Sequence, residues 1–199
     1  MSENLDYRQR GAATKRKRTI SKTIEAAALL FDAHGWYGVT LDDIAKEAGV
    51  STAAFNRYFA TKQAVALGAY TPVLLPVVKQ AESHNQTADV ALKCFVYGLA
   101  EVVVQFPALT IALLPASRDV VRLGDEARST SQEVILVDFD QLAELLGRLL
   151  NLHWDSDSRD DYNLTEVAEL YLSGLLSWVL KHPDRSGEDA AELTLSQLL

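Results

Sequence analysis

Residues Thr40–Lys62 read TLDDIAKEAGVSTAAFNRYFATK, and this stretch decides the fold. It predicts two short helices that meet at Gly49, where the turn needs a residue without a Cβ atom. Thr40 caps the first helix, with Asp43 placed to complete a capping box, and Ser51 caps the second helix. Two helices joined in this way form a helix-turn-helix, which can insert its second helix into the major groove of DNA.

The flanking residues predict helices on both sides of this unit and no strands. Apolar residues at helical spacing predict a first helix from Ile20 that ends at Gly35. A fourth helix is predicted from Thr61 to about Thr71. Pro72, with Pro76 beyond it, then produces either a kink or a plain helix stop.

The remainder of the chain predicts a larger helical bundle. Residues 88–106 form a helix that is apolar on nearly every face, which is typical of the centre of a second domain. Residues 163–182 carry an apolar face too wide for one core contact, so we expect part of it to pack inward and part against a second copy, the alternative being a core wholly within the chain. Three further helix starts are predicted. Pro107 begins a short helix that ends at Leu114. Thr130 with Glu133 precedes a helix that ends near Leu150, and Ser186 with Asp189 caps the last helix.

These patterns predict an all-α protein. We expect an N-terminal three-helix helix-turn-helix (homeodomain-like) domain and a larger C-terminal helical dimerisation domain, and the family resemblance given below implies that the larger domain is also ligand-binding. The expected divisions are a basic N-terminal arm at residues 1–18, a DNA-binding domain at residues 19–70 and a dimerisation domain at residues 71–199, which by the same resemblance is also effector-binding.

The charge distribution agrees with a nucleic-acid contact at one end of the chain. The net charge is -8, but residues 1–70 hold ten basic and seven acidic residues, for +3, whereas the rest holds nine basic and twenty acidic residues, for -11. The basic residues are densest at Lys15, Arg16, Lys17 and Arg18, directly ahead of the helix-turn-helix. This run is either a solvated tail or, as we expect from its position, a phosphate-binding arm.

Other classes of protein lack support in the sequence. No uncharged run is long enough to span a bilayer, and residues 1–20 lack the apolar stretch of a signal peptide, so a cytoplasmic location without membrane contact is expected. The single cysteine, Cys94, allows no intrachain disulfide. The four histidines lack metal-ligand spacing, and no nucleophile elbow or glycine-rich phosphate loop occurs. We therefore expect no metal, no cofactor and no enzymatic activity.

The region from Ile20 to Tyr70 resembles the DNA-binding domain of the TetR family of bacterial transcriptional regulators, and its matching residues read ISKTIEAAALLFDAHGWYGVTLDDIAKEAGVSTAAFNRYFATKQAV. The resemblance implies an all-helical homodimer that binds operator double-stranded DNA, usually as a repressor, and that a small-molecule effector releases. By position it implies that Thr40, Tyr58 and Lys62 contact phosphate. Beyond residue 75 only length and helical character match the family.

The exposed side of the second helix supplies candidate base contacts. Asn56 stands where many relatives carry tyrosine, and an asparagine can hold adenine by a bidentate pair. Ala53 offers apolar contact to a thymine methyl, and Arg57 can pair with guanine or with phosphate. The complete predicted DNA-binding set is Lys15, Arg16, Lys17, Arg18, Thr40, Ser51, Thr52, Ala53, Asn56, Arg57, Tyr58 and Lys62.

Apolar side chains of the second domain suit an apolar or aromatic effector. The predicted ligand-binding residues, which are otherwise simply core, are Phe95, Leu99, Val102, Val103, Tyr171, Leu175 and Trp178. Dimerisation is expected through the two C-terminal helices. Two alternatives remain, namely a helix-turn-helix DNA-binding protein of the same architecture without a ligand and, more distantly, an all-helical enzyme or carrier.

Overall fold

The computed structural model describes residues 2–83, 87–114, 137–154 and 163–199, and of residues 2–9 it describes the backbone alone. Within these ranges the regular secondary structure is helical and contains no strand, which confirms the all-α prediction. The helices are α1 (Ser2–His34), α2 (Leu41–Glu47), α3 (Thr52–Tyr58), α4 (Lys62–Ala81), α5 (Ala88–Gln105), α6 (Pro107–Leu113), α7 (Phe139–His153), α8 (Leu164–Lys181) and α9 (Gly187–Leu198).

The described residues form two compact units. One comprises residues 2–69, and the other comprises residues 70–114, 137–154 and 163–199. The boundary falls inside α4, between Ala69 and Tyr70.

The first unit is a three-helix domain closed by the start of α4. Its core contains Phe31 of α1, Ile44 of α2, and Phe55 and Phe59 at α3, each at most 2% exposed. The rings of Phe55 and Phe59 lie 6.0 Å apart, and the ring of Phe31 stacks on Trp36. Aromatic side chains therefore form much of the core of the first unit.

The first helix is longer than the sequence pattern predicted. α1 begins at Ser2 instead of near Ile20, so the expected basic arm is helical along its described length. Residues 12–19 lack glycine and proline, and alanine, lysine and arginine favour helix. The hydroxyls of Thr14 and Thr19 donate hydrogen bonds to the carbonyls of Arg10 and Lys15, at 2.9 and 3.0 Å. The apolar pattern that predicted the start at Ile20 marks only the part of α1 that is buried.

The fourth helix continues through both prolines. α4 ends at Ala81, so the predicted stop near Thr71 is wrong. Pro72 and Pro76, four residues apart, are both exposed, which places their rings on the solvent side of the helix. Tyr70 and Leu74 are 3% and 0% exposed on the same stretch, and this burial offsets the cost of the missing amide bonds. By length and composition α4 could cross a membrane, but 56% of that window is buried inside the protein.

The second unit is built around α5, as predicted. α5 packs against α6, α7, α8 and α9, and Leu92, Phe95, Leu99 and Val103 on it are at most 1% exposed. α5 and α9 approach each other closely at Gly187, where an added Cβ atom would lie 2.8 Å from the Cα atom of Glu101.

The helix boundaries of the second unit follow capping residues. Pro107 begins α6, and Ser186 with Asp189 forms a complete capping box on α9, which confirms both predictions. The predicted start at Thr130 and Glu133 lies outside the described residues. The described helix α7 begins at Phe139 and is capped by Asp138, which shares a capping box with Gln141.

Candidate DNA-binding surface and apolar groove

The helix-turn-helix has the local geometry that its sequence predicts. Thr40 and Asp43 form a complete capping box on α2, and the side chain of Ser51 accepts the amide of Ala54 at the start of α3. Gly49 joins the helices at φ 64°, in the left-handed region that favours glycine. The hydrogen bonds from the hydroxyl and amide of Thr40 lower the pKa of the Asp43 carboxyl. The charged carboxylate therefore stabilises the turn that starts α2.

Helix α3 presents one polar face to solvent and one aromatic face to the core. The exposed residues include Ser51, Thr52, Ala53, Asn56 and Arg57, all of them predicted DNA contacts. Hydrogen-bonding groups on one side of a short helix can meet base edges, while the buried side fixes the angle of the helix. The structure thus brings five of the predicted residues together on one surface.

Two other predicted contacts on this domain are already engaged. Tyr58 is only 8% exposed, so its ring belongs mainly to the core, and DNA could meet only the small exposed part. The hydroxyl of Thr40 is exposed and donates to Asp43 Oδ2 at 2.6 Å, within the capping box. A phosphate contact from Thr40 would share this hydroxyl with Asp43.

A carboxylate that sequence reasoning missed lies beside the exposed face of α3. Asp42 of α2 is exposed, and its Oδ1 accepts a hydrogen bond from the hydroxyl of Thr52 at 3.2 Å. This bond connects the first turn of α2 to the first turn of α3 and restricts the orientation of the Thr52 hydroxyl. Asp42 and Thr52 are ten residues apart and lie on different helices, so no periodic spacing predicts their contact. The contact is seen only in the folded structure.

Lys62 is packed within the first unit. Its ammonium donates a hydrogen bond to the backbone carbonyl of Trp36 and lies 4.5 Å from the centroid of the Trp36 ring. The Phe31 ring centroid is 5.9 Å from the same ammonium. Burial lowers the pKa of the Lys62 ammonium. The predicted phosphate contact of Lys62 stays a prediction, and the packing of its charge against Trp36 was not foreseen.

The basic run on α1 spreads around the helix. Consecutive helical residues project about 100° apart, so Lys15, Arg16, Lys17 and Arg18 cannot all meet one phosphate backbone. Lys15, Arg18 and Lys22 are all exposed, and their spacing places them on one face. Lys22 was not among the predicted contacts, and helical spacing measured from Lys15 is the signal that identifies it.

The predicted ligand-binding residues divide into two sets. Phe95, Leu99, Val102 and Val103 lie on α5, where all but the half-buried Val102 are at most 1% exposed. Tyr171, Leu175 and Trp178 instead line an open groove of about 290 Å³ between α8 and α9. The other residues that line this groove are Leu170, Gly174, Ala190, Leu193, Thr194 and Gln197.

The groove between α8 and α9 is mainly apolar and opens to solvent. Leu170 is 75% exposed and Leu193 is 46% exposed. The hydroxyl of Tyr171 donates to the carbonyl of Gln197 at 2.9 Å, which ties the end of α9 to α8. The Trp178 ring stacks on His182, with centroids 4.7 Å apart. The groove therefore lies between two helices that are hydrogen-bonded to each other, and it exposes two large apolar side chains, Leu170 and Leu193, to solvent.

Comparisons with known proteins agree with these features. Residues 24–69 match the model of bacterial regulatory proteins of the tetR family. No curated protein sequence matches the chain. In the part of the chain that the structure describes, no three histidine, cysteine or acidic residues are grouped to hold a metal ion.

Similarity to solved structures extends over most of the chain. FadR from Thermus thermophilus, a TetR family transcriptional repressor in complex with lauroyl-CoA, is 23% identical with a TM-score of 0.65, covering 90% of this chain and 92% of its own. FadR from Bacillus subtilis, in complex with stearoyl-CoA, is 16% identical with a TM-score of 0.57, covering 89% and 96%. PfmR from Thermus thermophilus, a TetR family regulator, is 21% identical with a TM-score of 0.52, covering 89% and 96%. At these identities the similarity establishes the fold.

Proposed function

Because the chain belongs to the TetR family of transcriptional regulators, we propose that it binds operator DNA as a homodimer and that an apolar effector releases it. In this proposal residues 19–70 bind DNA, residues 71–199 bind the effector and a second copy, and the protein works in the cytoplasm as a repressor. The proposal depends on one observation, the exposed polar face of α3. The opposite face of this helix packs into an aromatic core, and Ser51 caps its first turn.

The exposed face of α3 suits readout in the major groove. The Asn56 amide can form two hydrogen bonds with adenine, and the Ala53 methyl group can contact the methyl group of thymine. The Arg57 guanidinium can donate two hydrogen bonds to guanine or to phosphate. Lys15, Arg18 and Lys22 on one face of α1 add positive charge for the sugar-phosphate backbone. Two copies related by two-fold symmetry would read half-sites about 34–36 Å apart, so the operator should be nearly palindromic.

We assign the groove between α8 and α9 to self-association. An exposed leucine pair on two neighbouring helices favours a symmetric helical interface, in which each copy covers the apolar residues of the other. Tyr171 and Trp178 then belong to this dimer face, where contacts with the second copy replace their predicted effector contacts. Leu175, only 4% exposed, is already enclosed within its own copy.

The effector site is proposed within the bundle around α5, at Phe95, Leu99, Val102 and Val103. These side chains suit an aliphatic or aromatic ligand better than a charged one. Since the similar FadR proteins hold lauroyl-CoA and stearoyl-CoA, fatty acyl-CoA thioesters are the first class to test.

Genomic fragments selected by the purified protein, followed by fluorescence anisotropy at several salt concentrations, test DNA binding. We expect a nearly palindromic site, loss of affinity as salt rises, and about 1–3 kcal/mol weaker binding for Asn56→Ala, with relaxed preference at one base pair. The control variant is Lys93→Ala, which removes an exposed cation from α5 in the second unit. Selectivity unchanged in Asn56→Ala would contradict readout by α3.

Titration with lauroyl-CoA and stearoyl-CoA, in the presence and absence of operator, tests release. We expect acyl-CoA to raise the thermal midpoint of the free protein and to lower its affinity for DNA, because binding to one state shifts the population toward it. Specific DNA binding that no acyl-CoA or other apolar ligand alters would favour the ligand-independent regulator. Turnover of a substrate without DNA affinity would favour the enzyme or carrier.

A further inference from the structure

The ammonium of Lys62 lies where three segments of the first unit meet. It donates to the carbonyl of Trp36 and faces the Trp36 ring at 4.5 Å, while the Phe31 ring lies 5.9 Å away. Phe31 and Trp36 are themselves stacked, with centroids 5.6 Å apart and planes inclined by 15°. The cation thus connects the first residue of α4 with the end of α1 and with the turn that follows α1.

The environment of Lys62 opposes a purely phosphate-binding role. A cation at the first residue of a helix meets the positive end of the helix dipole, which is unfavourable. Burial disfavours the charged form further, as the lowered pKa of the ammonium shows. A carbonyl oxygen and two aromatic faces offset part of these costs, since each interacts favourably with an ammonium ion. The ammonium therefore already has partners within the protein before any DNA arrives.

The segment that Lys62 holds leads directly into the helix-turn-helix. Gly35, at φ 66°, ends α1, and Trp36 follows it in the turn that reaches the Thr40 cap of α2. Tyr37, next to Trp36, is 88% exposed, so the turn has little packing of its own beyond Trp36 and Val39. A fixed Trp36 therefore fixes the approach of the chain to α2.

We propose that Lys62 supports DNA affinity as a positioning residue, a clamp that holds the Trp36 turn against the first turn of α4, and not as a phosphate ligand. The proposal rests on the proposed function.

Salt dependence separates the two roles. Lys62→Met keeps an apolar stem but cannot donate to the carbonyl, and we expect about tenfold weaker operator binding from the loosened turn. The slope of log affinity against log salt should stay as in the wild type, because no phosphate contact is lost. The comparison variant is Lys15→Met, on the face of α1 proposed to meet the sugar-phosphate backbone, where loss of a phosphate contact should reduce the slope by about 0.9.

A ¹⁹F NMR signal from Trp36 in the free protein tests, without DNA, whether Lys62 holds the turn in place. With 5-fluorotryptophan in place of the three tryptophans of the chain, ¹⁹F resonances can be assigned by replacing Trp36 with Phe. Lys62→Met should shift and broaden the Trp36 resonance while the resonances of Trp154 and Trp178 stay in place. Lys62→Gln, which keeps an N–H donor without charge, serves as a second variant where Lys62→Met fails to fold.

Each outcome decides between the roles. A salt slope that falls by about 0.9 in Lys62→Met, with an unmoved Trp36 resonance, would overturn the clamp and restore the phosphate contact. Full affinity in both Lys62 variants would overturn it equally. Failure of the wild type to bind any duplex would refute the proposed function itself, and the Trp36 resonance would still show whether Lys62 holds the turn.

Discussion

Replacing Leu170 with Asp tests whether the groove between α8 and α9 is a dimer face. Complete burial of a leucine side chain contributes about 2 kcal/mol, so the 75% of Leu170 that is exposed makes about 1.5 kcal/mol available to a partner. In a two-fold interface each copy contributes one Leu170, so the variant should lose about 3 kcal/mol of association free energy. The dissociation constant of the dimer should therefore rise about a hundredfold. The introduced carboxylate would lose hydration at the interface, which weakens association further.

Sedimentation velocity over a range of protein concentrations measures this effect. The control is Leu152→Asp on α7, since Leu152 is 69% exposed and does not line the groove. We expect the Leu170 variant to dissociate at concentrations where the wild type and the control remain dimers, with helix content unchanged by circular dichroism. Equal dissociation of both variants, or of neither, would refute the assignment of the groove.

Two further predictions concern stability. Gly187→Ala should destabilise the protein by about 1–3 kcal/mol in urea unfolding, because the added Cβ atom would lie 2.8 Å from the Cα atom of Glu101. The control is Gly11→Ala, which has open space around it. It should leave the stability unreduced and increase the helix signal in circular dichroism. The pKa values of Asp43 and Asp189 are lowered from 3.8 by their capping hydrogen bonds, so this stabilisation is complete above pH 3.8 and is lost as the pH falls through the folded-state values. Thermal midpoints measured down to pH 3 should therefore fall less steeply in the variant with Asn at both positions, and an unchanged acid slope would exclude the contribution of the capping carboxylates.

Local signals predicted much of the fold because their physical causes lie within a few residues. The capping box of Thr40 and Asp43 depends on hydrogen bonds across three residues, and the turn at Gly49 depends on one backbone angle. The same holds for the start of α6 at Pro107 and for the cap of α9 at Ser186. Each of these features could be predicted from the sequence, since tertiary packing has little influence on it.

The features that sequence reasoning missed depend on burial. Pro72 breaks a helix in isolation, but α4 continues because the neighbouring Leu74 is fully buried and both prolines face solvent. Lys62 reads as a surface cation in a basic domain, and only the fold shows Trp36 beside it. The pairing of Asp42 with Thr52 likewise arises from the angle between two helices and not from spacing along one.

The apolar faces of the second unit show why effector residues are hard to predict from sequence. A wall of a ligand site, a core and a dimer face all require apolar side chains, so the sequence of α8 is compatible with each. In the structure Leu175 is 4% exposed while Leu170, five residues earlier, is 75% exposed. An internal ligand site would enclose its apolar walls, whereas a face that receives a second copy must keep them open until that copy arrives. Exposure therefore separates Leu170 from the enclosed side chains of α5, which agrees with the proposed self-association through α8 and α9 and with the proposed effector site at α5.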